Sequence, residues 1–375
     1  MAEIKHKPIE IFCGTGGVGK TTLATSRALY LASMGHKVLL ITIDPSHRLK
    51  QILNMKEEES GVTVQIPLVR FSSLDTSAPL DGTSSNQSFD ALLLSPRATL
   101  QRMNQADTGT LYFENPILEI LTRPNGGMSE IMGIIEVQYQ LTQQKYDVVV
   151  LDTPPGKHFI DFLEGSAKIQ RFFDKTFVEI FRYVGKSFDR EHASTLDTSE
   201  SPTHKEGKAK KMMNMLVSSG IKQLLKYLEK VTGIGFVETF IDAVITLYRN
   251  RNAFLEALKF QATLKQVNQS NWFLVTAADQ VKANEALGLQ KTAVIFMHQD
   301  NYLVINKCLG DDLKNWFPTH EASQQLRTFL LDKEAELIKA GQQQFNNILR
   351  FPEILSDSPE AHVSALAQMW ASPNL

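Results

Sequence analysis

One octapeptide in this chain has the composition to hold a phosphate. Gly14-Thr15-Gly16-Gly17-Val18-Gly19-Lys20-Thr21 fits the spacing Gly-x-x-x-x-Gly-Lys-Ser/Thr. Glycines at these positions let backbone N–H groups turn inward around phosphate oxygens, and a helix opening at the end of the loop adds its positive dipole end. Lys20 then reaches the β- and γ-phosphates, and the Thr21 hydroxyl binds Mg²⁺. The expected phosphate contacts are Gly16, Gly17, Val18, Gly19, Lys20, Thr21 and Thr22, with a nucleoside triphosphate and Mg²⁺ as ligands. A plain glycine turn would show the same letters. Context separates the two readings, because the loop follows the apolar run Ile9 to Cys13 and opens a helical pattern.

Two aspartates could complete such a site. Asp152 ends the run Val148-Val149-Val150-Leu151, where an acid at the carboxyl end of a buried parallel strand faces the phosphate crevice and can hold a Mg²⁺ water shell. The alternative is a helix cap. Thr153-Pro154-Pro155-Gly156 then makes a rigid turn able to sense a γ-phosphate. Asp44 opens Asp44-Pro45-Ser46-His47, where a carboxylate can orient or deprotonate an attacking water. Taken alone, an Asp-Pro pair is as well read as a turn.

Elements must carry these residues to one place. Strands are expected at Ile9–Cys13, Lys37–Ile43, Tyr146–Leu151, Trp272–Thr276 and Tyr302–Ile305, with a helix from Lys20 to Met34 capped by Gly35. Near-continuous apolar runs of this kind are what a parallel sheet covered on both faces requires. Asp75 to Gly109 is rich in Ser, Thr, Asp and Asn and reads as loop and short helix. Amphipathic helices carry Phe173, Phe177, Phe181, Val184 and Phe188, then Ile221, Leu224, Leu225 and Leu228, then Phe236, Phe240, Val244 and Tyr248. A polar stretch at 190–211 breaks them and reads as a mobile loop. The fold class is therefore α/β: a mostly parallel twisted sheet with helices on both faces, plus a helical insertion. Residues 1–160 and 266–375 form the core and 161–265 the insertion.

Composition narrows the chemistry. The 39 basic and 41 acidic residues give a net charge of −2, so no nucleic-acid surface is expected. Lys208, Lys210 and Lys211 read as a solvated loop face. Cys13 and Cys308 are the only cysteines, too few for a four-thiolate metal site within the chain, and both read as buried packing residues. The longest apolar candidate, Gly233 to Tyr248, is broken by Glu238 and Asp242, so no integral membrane segment is expected. The polar start of the chain and its few cysteines point to the cytoplasm. Met212, Met213 and Met215 suit either core packing or a groove for a client helix.

Taken in order, Gly16 to Thr22, Asp44 to His47 and Tyr146 to Pro155 resemble the ArsA family of ATPases. That family includes arsenite-pump ATPases and ATPases that deliver tail-anchored membrane proteins. It lies within the P-loop NTPases, in the deviant-Walker group with MinD and ParA. Gly127-Met128-Ser129-Glu130 resembles the family's Gly-Met-x-Glu segment. The resemblance implies that Asp44 positions the attacking water and, with Thr21 and Asp152, serves the Mg²⁺. Catalysis falls to Asp44 and Lys20. Asn306, in Val304-Ile305-Asn306-Lys307, would read the adenine, and Pro352, in Phe351-Pro352-Glu353-Ile354, would lie in the loop over the base. It also implies a dimer closing over two nucleotides.

This chain departs from the family at Thr15, where a lysine reaches across the dimer, and at Lys157, where a glycine is usual. It also lacks the Cys-x-x-Cys pair of many targeting members. The leading expectation is an ATP-hydrolysing dimer whose opening and closing handles a protein client on the helical subdomain. The alternatives are a low-turnover subunit paired with a lysine-bearing paralogue, a MinD- or ParA-like positioning ATPase and, more weakly, a small-molecule kinase.

Overall fold

The computed structural model describes residues 4–43, 51–56, 59–71, 87–108, 115–122, 129–165, 230–231 and 233–371. Asp44 to His47, Gly127, Met128, the phenylalanine stripe at 173–188, the 190–211 stretch, the three lysines, the three methionines and the helix at 221–228 lie outside the described residues.

The chain begins with β1 (Ile9–Gly14), α1 (Lys20–Ser33), β2 (Val38–Thr42), β3 (Thr63–Pro67) and β4 (Ser88–Leu93). Helices α2 (Pro96–Thr108), α3 (Pro116–Leu121) and α4 (Ser129–Thr142) precede β5 (Val148–Asp152). Helices α5 (Lys157–Leu163), α6 (Ile234–Arg249) and α7 (Arg251–Leu264) precede β6 (Ser270–Ala277). The chain closes with α8 (Gln280–Ala293), β7 (Tyr302–Cys308), α9 (Gly310–Asn315), α10 (Glu321–Gln342), β8 (Asn347–Pro352) and α11 (Pro359–Met369).

The eight strands form one sheet in the order β3-β4-β2-β5-β1-β6-β7-β8. Only β3 runs antiparallel, on β4. The α/β class is thus as the apolar runs imply. β4 corrects the expectation of loop and short helix between Asp75 and Gly109. Phe89 and Ala91 to Leu94 are buried there, and Asp90 escapes by pairing with Lys145 and Tyr146 at 2.8 and 2.7 Å. β8 is a second correction, because Phe351 and Pro352 end a strand rather than belonging wholly to a loop.

Two compact units divide the chain. One comprises Met1–Ser95, Glu136–Glu164 and Lys259–Leu375, and holds the sheet. The other comprises Pro96–Ile135 and Gly165–Leu258. Within the second, Asn115 caps α3 by accepting from the Ile117 and Leu118 N–H groups, and its amide donates to the Thr239 carbonyl at 2.8 Å. On α6, Ala243, Val244 and Leu247 are buried, an i, i+1, i+4 stripe.

The sheet unit is welded around α1. Phe12 stacks on Phe273 at 4.8 Å, and Trp370 meets Phe273 edge-on at 5.6 Å. Trp370 donates its indole N–H to the Ser26 hydroxyl at 2.9 Å, tying α11 to α1. Beneath them, Arg27 and Glu10 form a fully buried pair. Arg27 Nε and Nη2 donate to the two Glu10 oxygens at 2.8 and 3.0 Å, and Asn271 donates to Glu10 Oε1 at 3.2 Å.

His298 lies buried after α8, its Nε2 2.9 Å from the Ser270 carbonyl. Burial, then the charge of Lys7, pulls its pKa below the usual histidine value, against the Ser270 carbonyl and Asp300. A depressed folded pKa keeps its stability contribution above the unfolded value, about 6.5, and loses it as pH falls through the folded one. His36 is lowered as well. The urea midpoint is therefore expected to fall as pH drops from 6.5 toward 5, with His298→Gln flattening part of that slope. An identical slope in the variant would assign the pH dependence elsewhere.

Candidate active site

β1 is central, and its carboxyl end delivers the glycine loop to the crevice side of the sheet. Gly14 turns there with φ +145, and a Cβ on it would lie 2.1 Å from the Val275 carbonyl oxygen. Only glycine lets β1 enter the loop this close to β6. Gly19 ends the loop at φ +93 and leads into α1, whose first residue is Lys20.

Lys20 is buried, and its Nζ donates to the Thr15 carbonyl at 2.8 Å. Thr21 Oγ1 donates to Asp152 Oδ2 at 2.8 Å, although the two lie 131 residues apart in sequence. Asp152 is itself buried and ends β5, the strand beside β1. The sheet thus brings Lys20, Thr21 and Asp152 together.

The turn after Asp152 is knit to the same place. Thr153 donates its N–H and its hydroxyl to the Phe12 carbonyl, at 3.2 and 2.9 Å, and the Gly156 N–H donates to the Gly14 carbonyl at 3.1 Å. Sequence reasoning gave Thr153 no such role, although a hydroxyl directly after the strand-ending acid was its available signal. Lys157 starts α5 and is exposed. Thr42, the last residue of β2, stands in register beside Asp152. Asp44 follows two residues later and lies outside the described residues.

Asn306 and Pro352 sit at the carboxyl ends of β7 and β8, on the same side of the sheet as the loop. Asn306 is buried, and its amide donates to the Val18 carbonyl at 2.9 Å. Lys307 then adopts φ +62 at a register shift between β7 and β8 and pairs with Glu353 at 3.5 Å. Glu334 of α10 accepts the Leu309 and Gly310 N–H groups at 2.9 and 3.0 Å, fixing the chain as it leaves β7. Nothing in the sequence around Glu334 announces that partner.

The residues present fit a magnesium nucleotide. Thr21 and Asp152 present hard oxygen donors side by side. Among the described residues no group of three or more His, Cys, Asp and Glu could hold a metal. Mg²⁺ keeps several waters and takes few protein ligands plus phosphate oxygens, so a hydroxyl and a carboxylate placed together suit it. Around the loop, the Thr15 and Thr22 hydroxyls are buried and make no hydrogen bond among the described residues, and a Cβ on Gly17 would meet nothing within 4 Å. Such unsatisfied polar groups and open space suit a phosphate cradle. Cys13, just before the loop, is pushed up to about 12 by burial, and Cys308 likewise, so neither is a nucleophile. No helix among the described residues is long and apolar enough to cross a membrane.

Comparison with known proteins agrees with this geometry. The profile of the anion-transporting ATPase (ArsA ATPase) family matches residues 8–216, more than half of the chain. Among curated proteins, the ATPase GET3 of Malassezia globosa is 33% identical over 178 residues, 47% of this chain and 46% of that protein. The ATPase GET3 of Mycosarcoma maydis is 25% identical over 174 residues, 46% of this chain and 45% of its own. The ATPase get3 of Aspergillus terreus is 31% identical over 162 residues, 43% and 44% of the two chains. The chain thus aligns with about half the length of the curated relatives it matches.

Proposed function

Because the chain belongs to the anion-transporting (ArsA) ATPase family, we propose that it binds Mg²⁺ and ATP on the Gly14–Thr22 loop, hydrolyses the ATP, and works as a dimer that opens and closes around a protein client. The observation that carries the reading is the Thr21–Asp152 hydrogen bond at 2.8 Å, which joins the end of the phosphate loop to the carboxyl end of β5.

Each residue has a role that its chemistry allows. Lys20 carries the charge that offsets the phosphates, and the loop N–H groups orient them. Thr21 and Asp152 would hold Mg²⁺, which, when bound, neutralises charge developing on the phosphates. Asp44 follows the strand beside Asp152 and is proposed to orient water for in-line attack. The water oxygen bonds to the γ-phosphorus as the bridge to the β-phosphate breaks, and the water's proton leaves through Asp44, giving ADP and phosphate. Asn306 and Pro352 border the side on which the base would lie.

The dimer is proposed as self-paired, or paired with a related chain. A client with an apolar helical segment would use the second unit, where Ile120, Phe236 and Leu255 are exposed. The cytoplasm is the proposed setting, in keeping with two buried, unbridged cysteines.

The test is steady-state Mg-ATP hydrolysis by the purified chain against Lys20→Ala and Asp44→Asn. Turnover above both variants, lowered by about 100-fold or more in each, is the expected result. Wild-type turnover equal to that of Lys20→Ala would reject the reading.

A further inference from the structure

We propose that Asn306 is a positioning residue for the phosphate loop, fixing its curvature whatever base the nucleotide carries. The inference rests on the phosphate-loop reading above and adds to it a residue 288 positions away from its partner.

The geometry is specific. The Asn306 amide donates to the Val18 carbonyl at 2.9 Å and is buried. A peptide unit is planar and trans, so its C=O and N–H point to opposite sides. Holding the Val18 carbonyl toward Asn306 therefore aims the Gly19 N–H the other way. A flip of that one peptide would turn a donor into an acceptor at the place where an anion must be held.

The loop is built around this bond. Gly19 has no side chain where one would collide: a Cβ there would lie 2.3 Å from Asn306 Nδ2.

The anchor itself is rigid. The Asn306 carbonyl accepts the Ala278 N–H at 2.9 Å, and Asn306 stands in register with Ala277 on β6. Beyond it, Lys307 at φ +62 and the two N–H groups held by Glu334 fix the exit of β7. An asparagine is needed because an aspartate of the same shape has no proton to donate.

The experiment compares Mg-ATP with Mg-tripolyphosphate, which has the phosphates and no base, by calorimetry on the full chain. Asn306→Ala and the isosteric Asn306→Asp are both used, each with its unfolding midpoint measured. A positioning role predicts that both ligands weaken about tenfold, the scale of one lost buried hydrogen bond, in variants that still melt near wild type. Loss of ATP affinity alone would make Asn306 a base contact and overturn the inference while leaving the ATPase reading intact. Unchanged binding of both ligands would overturn it too. So would wild-type protein that binds ATP but not tripolyphosphate, because the loop would then have no base-independent affinity to lose. Wild-type protein that binds neither ligand would remove this inference and the ATPase reading together.

Discussion

Asp152→Asn is expected to lower Mg-ATP turnover by about 100-fold or more, with little change in unfolding midpoint. Asparagine keeps the size of the side chain and an oxygen able to accept from Thr21 Oγ1, so the 2.8 Å contact and the end of β5 can survive. What disappears is one negative charge in a buried position. If the role of Asp152 were only to cap or to fill space, that change would cost little. If its charge helps to hold a metal against phosphates, the loss is large, since preorganised charge in a site with little water is worth several kcal/mol of barrier, roughly 2.7–4 per lost group. The variant should also need more Mg²⁺ to reach half of its residual rate. Turnover within about twofold of wild type would return Asp152 to a structural role and remove the chief support for the ATPase reading.

The second large effect concerns stability. Glu10→Ala is expected to destabilise the fold by about 3–5 kcal/mol, because it leaves a buried guanidinium without its carboxylate. Both partners are fully buried. Among the described residues, Arg27 then keeps the Ile4 carbonyl at 3.2 Å and the faces of Trp370 and Tyr30, at 5.1 and 5.5 Å. In a unit of this size the loss corresponds to a fall in melting temperature of about 10 °C. The pair itself need not be stabilising. Glu10→Leu combined with Arg27→Met removes both charges and keeps volume, and should recover most of the loss. A double variant as unstable as Glu10→Ala would show that the hydrogen bonds to Asn271 and Ile4 matter more than the charge left behind. Because α1 also begins with Lys20 and Thr21, Glu10→Ala should weaken nucleotide binding as well.

The parts of this molecule differ in how well the sequence announces them. The loop from Gly14 to Thr21 is local, and each glycine has a steric reason, so its identity and its place between β1 and α1 are legible. Asp152 is legible because a buried apolar strand ending in an acid is unusual. β4 is not, because Ser88 and Asp90 interrupt a short run that is otherwise apolar, and Asp90 is tolerated only through Lys145 and Tyr146, more than fifty residues later. The partner of Asn306 is hidden for the same reason: the resemblance assigns the residue to a base, and only the fold sets its amide against Val18. Glu10 looks like an exposed strand residue until Arg27, two turns into α1, comes to cover it. Local patterns and motif residues can be read from the chain, whereas long-range partners that belong to no motif, such as those of Asp90, Asn306 and Glu10, cannot.

The order of strands in the sheet bears on how the chain is made. β1, near the amino terminus, lies between β5 and β6, which emerge much later. On a ribosome, β1 first waits for β5, and its other edge stays open until β6 appears, roughly a hundred residues and about ten seconds after that. Through this interval an apolar strand destined for the centre of the sheet has an unpaired edge, which makes the half-made chain prone to wrong partners. A pause in translation before β6 is therefore expected to lower soluble yield more than one after it.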